Sequence, residues 1–237
     1  MSDVKVDIKE IKSCFEKALT TYDNHAIVQK EVVSNLMNNL LERTSNYSKV
    51  LELGCGTGLL TTQVYDKIAP SGFYINDLVP QCWDRLKETL NMGNTTFLAG
   101  NLETIAFPKN LDLIISASTF QWATDIRKLL AKCYSHLQED GILAFSTYGN
   151  LHFKEIAQSD LSYKSKDNLL NALSDKFEIL HLSEYTREMA FHTKRELILH
   201  LGRTGVNAVK GSLLPTTNYS LTYHPIIVIA RRKPIHI

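Results

Sequence analysis

Three glycines on alternate residues are the feature of this chain that most restricts its fold. The apolar segment Lys49–Leu53 runs directly into Gly54, Gly56 and Gly58, and a helical pattern of apolar residues follows over 59–68. This order of strand, glycine turn and helix is typical of the first unit of a parallel α/β sheet, where a ligand approaches the backbone of the turn. Glycine permits positive φ and leaves space against the main chain. The turn therefore predicts a ligand site, with a tight strand-to-helix connection as the alternative.

Predicted strands and helices alternate along the rest of the chain. Most of the early strands are apolar at nearly every position, which indicates burial on both faces of a parallel sheet. The later strands alternate apolar and polar residues, which favours an antiparallel edge. We therefore predict an α/β fold with a doubly wound, mostly parallel seven-stranded sheet and an antiparallel edge strand. The predicted strands are 49–53, 73–77, 95–99, 111–116, 142–146, 177–180 and 221–229, and the predicted helices are two within 8–44, separated by a polar break at 22–24, then 59–68, 83–92, 126–137, 169–173 and 194–201.

Length and charge narrow the class of protein. The chain has 237 residues, of which 44% are hydrophobic, and it carries 26 Lys and Arg against 25 Asp and Glu. A net charge of +1 gives no general attraction to nucleic acid or to an anionic membrane. No run approaches the ~18 apolar residues of a membrane span, the N-terminus lacks the apolar core of a signal peptide, and the four cysteines lack metal-ligand spacing. We expect a single-domain, monomeric, cytoplasmic protein with reduced thiols and no metal, acting on neither nucleic acid nor membrane.

The glycine turn departs from two familiar phosphate-binding motifs. A dinucleotide fingerprint would need glycine at position 59, where this chain has Leu59, and no Gly-Lys-Ser/Thr triplet follows to form a P-loop. Glu52 stands two residues before the first glycine, where its charge would repel a pyrophosphate and favour a cation or an amine. The turn therefore predicts a nucleoside-like ligand that carries positive charge.

Two polar residues at strand ends are candidates for contacts with a nucleoside. Asp77 closes the second predicted strand, where an acidic side chain accepts hydrogen bonds from ribose hydroxyls. Asn101 follows the third strand and is a candidate for the edge of an adenine, with Leu102 packed on the ring. An exposed helix cap is the alternative for Asp77. An ordinary turn residue is the alternative for Asn101.

These features resemble the seven-stranded S-adenosylmethionine-dependent methyltransferases. The segment 50–58, Asp77 and the turn 137–143 match the glycine motif, the ribose-binding acid and the turn into the fifth strand of that family. The family often has Asp where this chain has Asn101, so an adenine contact there would use an uncharged acceptor. The resemblance implies S-adenosyl-L-methionine as the cofactor. The residues it implies for cofactor binding are Glu52, Gly54, Cys55, Gly56, Gly58, Asp77, Leu78, Asn101, Leu102 and Ser116.

Segments outside this shared core carry a narrower resemblance, to the malonyl-acyl carrier protein O-methyltransferases of early biotin synthesis. Methyltransferases of small acids such as trans-aconitate also have the Gln121-Trp122 pair. The resemblance implies one methyltransferase domain over 1–237, made of an N-terminal helical lid, 1–47, a cofactor-binding core, 48–150, and a C-terminal part, 151–237, with a small helical cap before the last strand. The segments are Phe15, Ala18, 21–23, His25-Ala26 and Gln29, then Phe120-Gln121-Trp122, 201–208 and 221–224.

The narrower resemblance implies methyl transfer to the free carboxyl group of a malonyl thioester. That group is already ionised at neutral pH, so the reaction needs positioning and exclusion of water rather than a general base. Tyr22 and His25 on the lid, with Gln121 and Trp122 on the opposite wall, are the candidate catalytic residues. Ordinary core packing is the alternative for the aromatic side chains.

The implied substrate is negatively charged, so we expect cationic side chains near its binding site. Its carboxylate is suited to a bidentate guanidinium, for which Arg203 is the first candidate and Arg195 the second, with a solvated surface arginine as the alternative. The implied partner is an acyl carrier protein that carries a malonyl group, or malonyl-coenzyme A. Because acyl carrier proteins are acidic, we expect a basic rim around the site, although a charge run is also typical of a solvated face. The residues available for a rim are Lys194, Arg195, Lys210 and 231–233.

Three other functions compete with this interpretation. A small-acid carboxyl methyltransferase would share the same core. A non-catalytic binding module would have no need for Glu52, the glycines and Asp77 together. A nucleic-acid methyltransferase would need an aromatic target-base motif after the fourth strand, where this chain has 116–119, Ser-Ala-Ser-Thr.

Overall fold

Strands and helices alternate along the chain. The computed structural model describes residues 7–44, 46–91, 93–157, 163–206, 212–213 and 219–234, with 212–213 described by backbone alone. The strands are β1 Lys49–Leu53, β2 Gly72–Asp77, β3 Thr95–Ala99, β4 Leu111–Ser116, β5 Leu137–Tyr148, β6 Ile156–Ala157, β7 Phe177–Glu184, β8 Arg187–Phe191, β9 Ser212–Leu213, β10 Tyr219–Tyr223 and β11 Pro225–Arg232. The helices are α1 Ile8–Ala18, α2 Tyr22–His25, α3 Ile27–Leu41, α4 Leu59–Lys67, α5 Gln81–Thr89, α6 Ile126–His136, α7 Lys166–Leu173 and α8 Lys194–Arg203, with a 3-10 helix at Phe120–Trp122. Among the described helices, none is both long enough and apolar enough to span a bilayer.

A seven-stranded sheet forms the centre of the molecule, in the order β3-β2-β1-β4-β5-β11-β7. The strands from β3 to β5 pair in parallel, and β11 pairs antiparallel with both β5 and β7. The strand order reverses between β1 and β4, and ligands of open α/β sheets bind in the crevice at such a reversal. The topology therefore places the ligand crevice at the carboxyl ends of β1 and β4.

Helices cover both faces of the sheet. One core contains Leu36 of α3, Val64 of α4 and Leu86 of α5, each at most 1% exposed. The other contains Leu130 of α6 and Leu173 of α7, both fully buried. Burial of this kind stabilises each helix by removing its apolar face from water. The predicted doubly wound α/β fold is therefore confirmed.

A third, smaller core joins the N-terminal helices to the C-terminal part of the chain. Val28 and Val32 of α3 pack with Leu197 of α8 and with Leu221 and Tyr223 of β10. Strands β8 and β10 form a two-stranded antiparallel sheet, and α8 contacts both α1 and α2. The predicted helical lid and helical cap therefore pack against each other and form a second layer beside the main sheet.

The observed ends of three strands agree with the predicted ends. Strands β1, β3 and β4 begin and end at the predicted residues, whereas β5 begins earlier, at Leu137. The predicted polar break at 22–24 is the short helix α2. The sequence prediction omitted β8 and the short strands β6 and β9. The helix predicted over 83–92 is α5, Gln81–Thr89, and Met92 lies outside the described residues.

The predicted last strand, 221–229, is two strands that belong to different sheets. The chain leaves β10 at Tyr223 and enters β11 at Pro225, because proline has no N–H for a ladder and is tolerated at the first residue of a strand. Strand β11 is the second strand from the edge of the sheet, because β7 pairs with its outer side. The expected antiparallel strand is therefore present, but β7 and not β11 forms the edge.

Two glycines near the end of α8 lie in contrasting environments. A Cβ added at Gly205, whose φ is +71°, would lie 2.6 Å from Cδ1 of Phe15 on the lid. A Cβ added at Gly202, inside α8, would meet no atom within 4 Å.

We predict that Gly205→Ala lowers the free energy of unfolding by about 1–3 kcal/mol, because it strains a left-handed residue and displaces Phe15. We predict that Gly202→Ala raises it by about 0.5–1 kcal/mol, because alanine is the better helix former. Urea denaturation of both variants checks the pair. Equal effects in the two variants would contradict the described packing of the lid on the cap.

Candidate active site

A large cavity opens at the carboxyl ends of β1, β2 and β4, beneath α1 and α2. We call it the first cavity; its empty volume, including the open mouth, is about 1120 Å³. Ligand clefts of roughly 300–1,000 Å³ accommodate drug-sized molecules, so a nucleoside-sized ligand fits. Its described lining residues that the sequence had singled out for a cofactor are Gly54, Cys55, Gly56, Asp77, Leu78, Asn101 and Leu102.

The glycine turn combines packing with access. A Cβ added at Gly54, whose φ is +75°, would lie 2.3 Å from Oγ1 of Thr119, so this position requires glycine for packing. Gly56 has a φ of +53°, and a Cβ added there would meet no atom within 4 Å. Gly58 forms the N-cap of α4 and does not line the cavity. Tight packing therefore explains glycine at positions 54 and 58, whereas Gly56 faces open space and stays a predicted ligand contact.

Asp77 joins the end of β2 to the glycine turn. One carboxylate oxygen accepts from the Gly56 amide at 2.8 Å, and the other accepts from the Val79 amide at 2.8 Å. Burial raises the pKa of Asp77, while these amides oppose the shift. A carboxylate has about four acceptor sites, so each oxygen can still accept from a hydroxyl of a ligand in the cavity.

Glu52 lies in the middle of β1 and is completely buried. Neither of its carboxylate oxygens has a hydrogen-bond partner within the described ranges. Burial raises the pKa of Glu52 to about 8; the nearby Thr61 hydroxyl opposes this shift, and the charge of Asp77 contributes to it. Glu52 does not line the first cavity, so its effect on a ligand there is electrostatic rather than by contact. A cationic ligand would favour the ionised form of this unpaired acid.

The remaining candidates for cofactor binding differ in their surroundings. Asn101 lines the first cavity, but its side-chain oxygen also accepts from the Glu103 amide at 2.9 Å, which is the turn interaction. Ser116 is buried in the sheet, where its hydroxyl donates to the Leu53 carbonyl at 2.8 Å, and it does not line the cavity. Cys55 lines the first cavity, and burial raises the pKa of its thiol well above the ordinary value. All four cysteines of the chain are free thiols, as expected.

The lid is fastened to the glycine turn by one acidic side chain. Asp23 of α2 accepts from the Thr57 hydroxyl at 2.6 Å and pairs with the Arg85 guanidinium of α5 at 2.5 Å. The same guanidinium donates to the carbonyl of Leu19 at 3.2 Å. The position of α2, and with it the position of Tyr22, therefore depends on the residues around the turn.

A second cavity of about 340 Å³ adjoins the first. Its described lining carries hydroxyl, amide and imidazole groups but neither Lys nor Arg. Both candidates on the opposite wall, Gln121 and Trp122, line it. The residues that line both cavities are Phe15, Tyr22, Gln29, Ser118 and Trp122, and those of the second alone are Gln121, Tyr148, His152, Tyr163, Thr204, Val206 and Tyr223.

Unpaired polar atoms lie on the wall shared by the two cavities and in the lining of the second cavity. The amide oxygen of Gln29, a residue only 6% exposed, has no hydrogen-bond partner in the described structure, and the same holds for the amide oxygen of Gln121. Ser118 has a φ of +54°, an unusual backbone conformation that often marks functional positions. Burial raises the pKa of Tyr22 far above its ordinary value, so the phenol stays protonated. Sequence reasoning missed Gln29 and Ser118 as site residues, although Gln29 is a polar residue on the apolar face of α3.

Two candidate catalytic residues lie away from both cavities. Arg203 is exposed at the end of α8, and its guanidinium lies 3.3 Å from Nε2 of His25. Neither residue is among the described lining of the first or the second cavity. Burial and the Arg203 charge lower the pKa of His25. In this arrangement Arg203 faces the lid instead of the space available to a carboxylate.

The expected basic rim is only partly in place. Strand β11 runs antiparallel to β5, with Pro225 opposite Tyr148 and Arg231 opposite Ile142, so 231–233 lie at the end of the sheet away from the cavities. Inclusion of this segment in a rim was therefore wrong. Lys194 and Arg195 are exposed on α8, next to the lid, whereas Lys210 lies outside the described residues.

The chain is similar in sequence to known methyltransferases. A family described as "Methyltransferase domain" matches residues 50–141. The malonyl-acyl-carrier protein O-methyltransferase of Bacteroides thetaiotaomicron is 33% identical to this chain. The alignment covers 93% of this chain and 97% of that protein. The protein of the same name from Haemophilus influenzae is 32% identical, with coverage of 97% and 96%. The chain belongs to the family of malonyl-acyl-carrier protein O-methyltransferases.

The solved structures that resemble this methyltransferase support its fold. The N-methyltransferase NodS of Bradyrhizobium japonicum, in complex with S-adenosyl-L-homocysteine, superposes with a TM-score of 0.65 and 13% identity, covering 95% of this chain and 100% of that chain. At this identity the similarity concerns the fold alone.

We predict that Asp23→Ala loosens the lid. Removing the carboxylate breaks the contacts to Thr57 and Arg85, and because the ion pair is about one-third exposed, with side chains 37% and 33% accessible, the loss is about 1 kcal/mol. Hydrogen exchange of α1 and α2 amides should rise about fivefold, with β1 amides unchanged. Asp84→Ala, which breaks an exposed pair with Lys87 on α5, is the matched control. Unchanged exchange in α1 and α2 would contradict the fastening role of Asp23.

We predict that Glu52 makes the stability of the ligand-free protein fall with pH. The pKa of Glu52 is about 8 in the folded protein and close to its ordinary value, 4.5, in the unfolded chain, so the folded state holds the proton over this interval. The free energy of unfolding therefore falls as pH rises from about 4.5 to 8. Glu52→Gln should be more stable than the native protein by roughly 1–4 kcal/mol at high pH, with the difference smallest below pH 4.5. Denaturation across this range, with the exposed Glu88→Gln as control, checks the sign, and parallel curves would contradict it.

Proposed function

We propose that this enzyme transfers a methyl group from S-adenosyl-L-methionine to the free carboxyl group of a malonyl thioester on acyl carrier protein, giving the methyl ester in an early step of biotin synthesis. The observation that carries the proposal is the wall shared by two adjoining cavities. One cavity has the features of a nucleoside site, and the other is lined by neutral polar groups. A methyl donor and a methyl acceptor held on the two sides of that wall would lie close together.

The first cavity fits S-adenosyl-L-methionine in its polar groups. Asp77 offers acceptor sites for ribose hydroxyls. Asn101 and Leu102 line the same cavity. Glu52 is a buried acid without a hydrogen-bond partner in the described structure, and a ligand with positive charge would favour its ionised form. When bound, the cofactor supplies an electrophilic methyl group on a positively charged sulfur. The relative NodS carries the demethylated form of this cofactor, in line with this assignment.

The residues on the shared wall position the acceptor. Malonyl carboxylate is ionised at neutral pH and needs no base, so holding it close to the methyl group supplies much of the rate enhancement. The Tyr22 phenol, which burial keeps protonated, is a hydrogen-bond donor at this wall, and Ser118 brings a second hydroxyl. Phe15 packs edge-to-face on Trp122 with ring centroids 5.5 Å apart, which helps to exclude water from the carboxylate.

The exposed face of α8 suits an acidic carrier protein. Lys194, Arg195 and Arg203 are exposed on this helix, and Ile198 and Leu199 are exposed on it at 51% and 43%. Positive charge around exposed apolar side chains complements an acidic protein surface and steers its approach. Under this proposal Arg203 contributes to carrier docking, and the charge of the substrate carboxylate is balanced by the positive charge of the cofactor.

We predict that the enzyme methylates malonyl thioesters and not free acids. The assay offers malonyl-acyl carrier protein, malonyl-coenzyme A, free malonate and trans-aconitate with S-adenosyl-L-methionine, and mass spectrometry detects a gain of one methyl group. We expect the carrier-bound substrate to react best and the free acids at least about a hundredfold more slowly in kcat/KM, because they lack the binding energy of the thioester arm. Preferential methylation of a free acid would support a small-acid methyltransferase instead. Cofactor binding without any turnover would support a binding module.

A further inference from the structure

The far wall of the second cavity contains a buried imidazole that sequence reasoning did not single out. His152 is 5% exposed and lines this cavity but not the first. Its ring stacks on Tyr148 and on Phe153, both with centroids 3.9 Å away, and meets the edges of Tyr163 and Tyr223 at 4.8 and 5.2 Å. A phenyl ring would fill the same space in this aromatic cluster but could neither accept nor donate a hydrogen bond, so the contacts of both ring nitrogens matter.

The contacts of His152 define which of its nitrogens carries the proton. Nδ1 accepts from the backbone amide of His224 at 3.4 Å. Burial, followed by the neighbouring His224, lowers the pKa of His152 well below the ordinary value, so the ring is neutral. In a neutral imidazole whose Nδ1 is an acceptor, the proton is on Nε2. His152 therefore has one uncharged N–H donor, on a residue that lines the second cavity.

The loop that carries His152 is held by side-chain and backbone contacts on its outer side. The imidazole of His224 accepts from the Leu151 amide at 3.2 Å through Nδ1, and its Nε2 lies 3.2 Å from a carboxylate oxygen of Glu184. A Cβ added at Gly149 would lie 2.5 Å from the ring of His224, so the loop follows this ring closely. Phe153 has a φ of +53°. Unusual backbone held by dense contacts is typical of sites that need fixed geometry.

The position of His152 indicates which part of a substrate it would meet. The reacting carboxylate belongs at the shared wall, because the methyl group arrives from the first cavity. One methylene beyond that carboxylate is the thioester carbonyl, whose oxygen only accepts hydrogen bonds. Two other polar side chains of the second cavity have partners, since Tyr223 pairs with His200 at 2.7 Å and Tyr148 with Ser118 at 3.1 Å. An N–H donor beyond the shared wall is what the carbonyl requires.

We infer that His152 donates its Nε2–H to the thioester carbonyl oxygen of the malonyl group and so selects a thioester over a free diacid. The inference rests on the function proposed above. In free malonate the carbonyl is replaced by a second carboxylate, which would be buried in a cavity whose described lining has neither Lys nor Arg. Burying such an unpaired charge is costly, whereas a neutral carbonyl is satisfied by one neutral donor.

The test removes the hydrogen bond from each side in turn. The substrates are malonyl-pantetheine and S-(2-carboxyethyl)pantetheine, in which a methylene replaces the thioester carbonyl and the reacting carboxylate is retained. The enzymes are the native protein, His152→Phe, which keeps an aromatic ring, and His192→Phe, the same change at an exposed histidine. For the native enzyme we expect kcat/KM about tenfold lower with the thioether. His152→Phe should lose about tenfold with malonyl-pantetheine and less than twofold with the thioether, and His192→Phe should change neither.

The outcomes separate the two proposals. Equal losses of His152→Phe on both substrates, or no loss on either, would overturn the role of His152 while leaving the proposed function in place. A native enzyme that binds cofactor but methylates no malonyl thioester would overturn the proposed function itself. If His152→Phe does not fold, His152→Gln, which retains a donor, takes its place. It should keep most of the preference for thioester over thioether, and loss of this preference would overturn the inference.

Discussion

The hydrogen bond between the Gly56 amide and the Asp77 carboxylate is the contact on which the rest of the site depends. It fixes the glycine turn after β1 against the end of β2, so two neighbouring strands present their ends to one cavity. Thr57, the next residue of the turn, then receives Asp23 from the lid. The lid is thereby aligned with the sheet through a short series of polar contacts, and Tyr22 reaches the wall between the two cavities.

The two cavities differ in how they treat charge. The first has the carboxyl group of Asp77 on its wall and the buried carboxyl group of Glu52 behind it, which a positive ligand would help to ionise. The second has uncharged amides, hydroxyls and imidazole on its described lining. A negative acceptor therefore meets its compensating charge only at the shared wall. This arrangement favours binding of the positively charged methyl donor first, because its charge then stabilises the negatively charged acceptor.

The sequence predicts those parts of the molecule that depend on local pattern. Strands β1 and β4 are buried apolar segments, the glycines follow β1 directly and Asp77 closes β2, so their places could be derived. The location of residues 231–233 could not be derived, because the end of the sheet at which they lie depends on the long-range pairing of β11 with β5. Arg203 was expected at the carboxylate because of its charge, yet helix α8 directs it towards His25. His152 gave no local signal, since its position depends on long-range contacts with His224.

The thiol of Cys55 shares the first cavity with the cofactor that the enzyme uses to alkylate its substrate. A thiolate there would be a stronger nucleophile than any carboxylate and would compete for the methyl group. Because burial holds the pKa of Cys55 well above its ordinary value, the sulfur stays protonated at neutral pH. Burial of this thiol thus has a protective consequence, because it disfavours methylation of the enzyme at a residue of its own cofactor cavity.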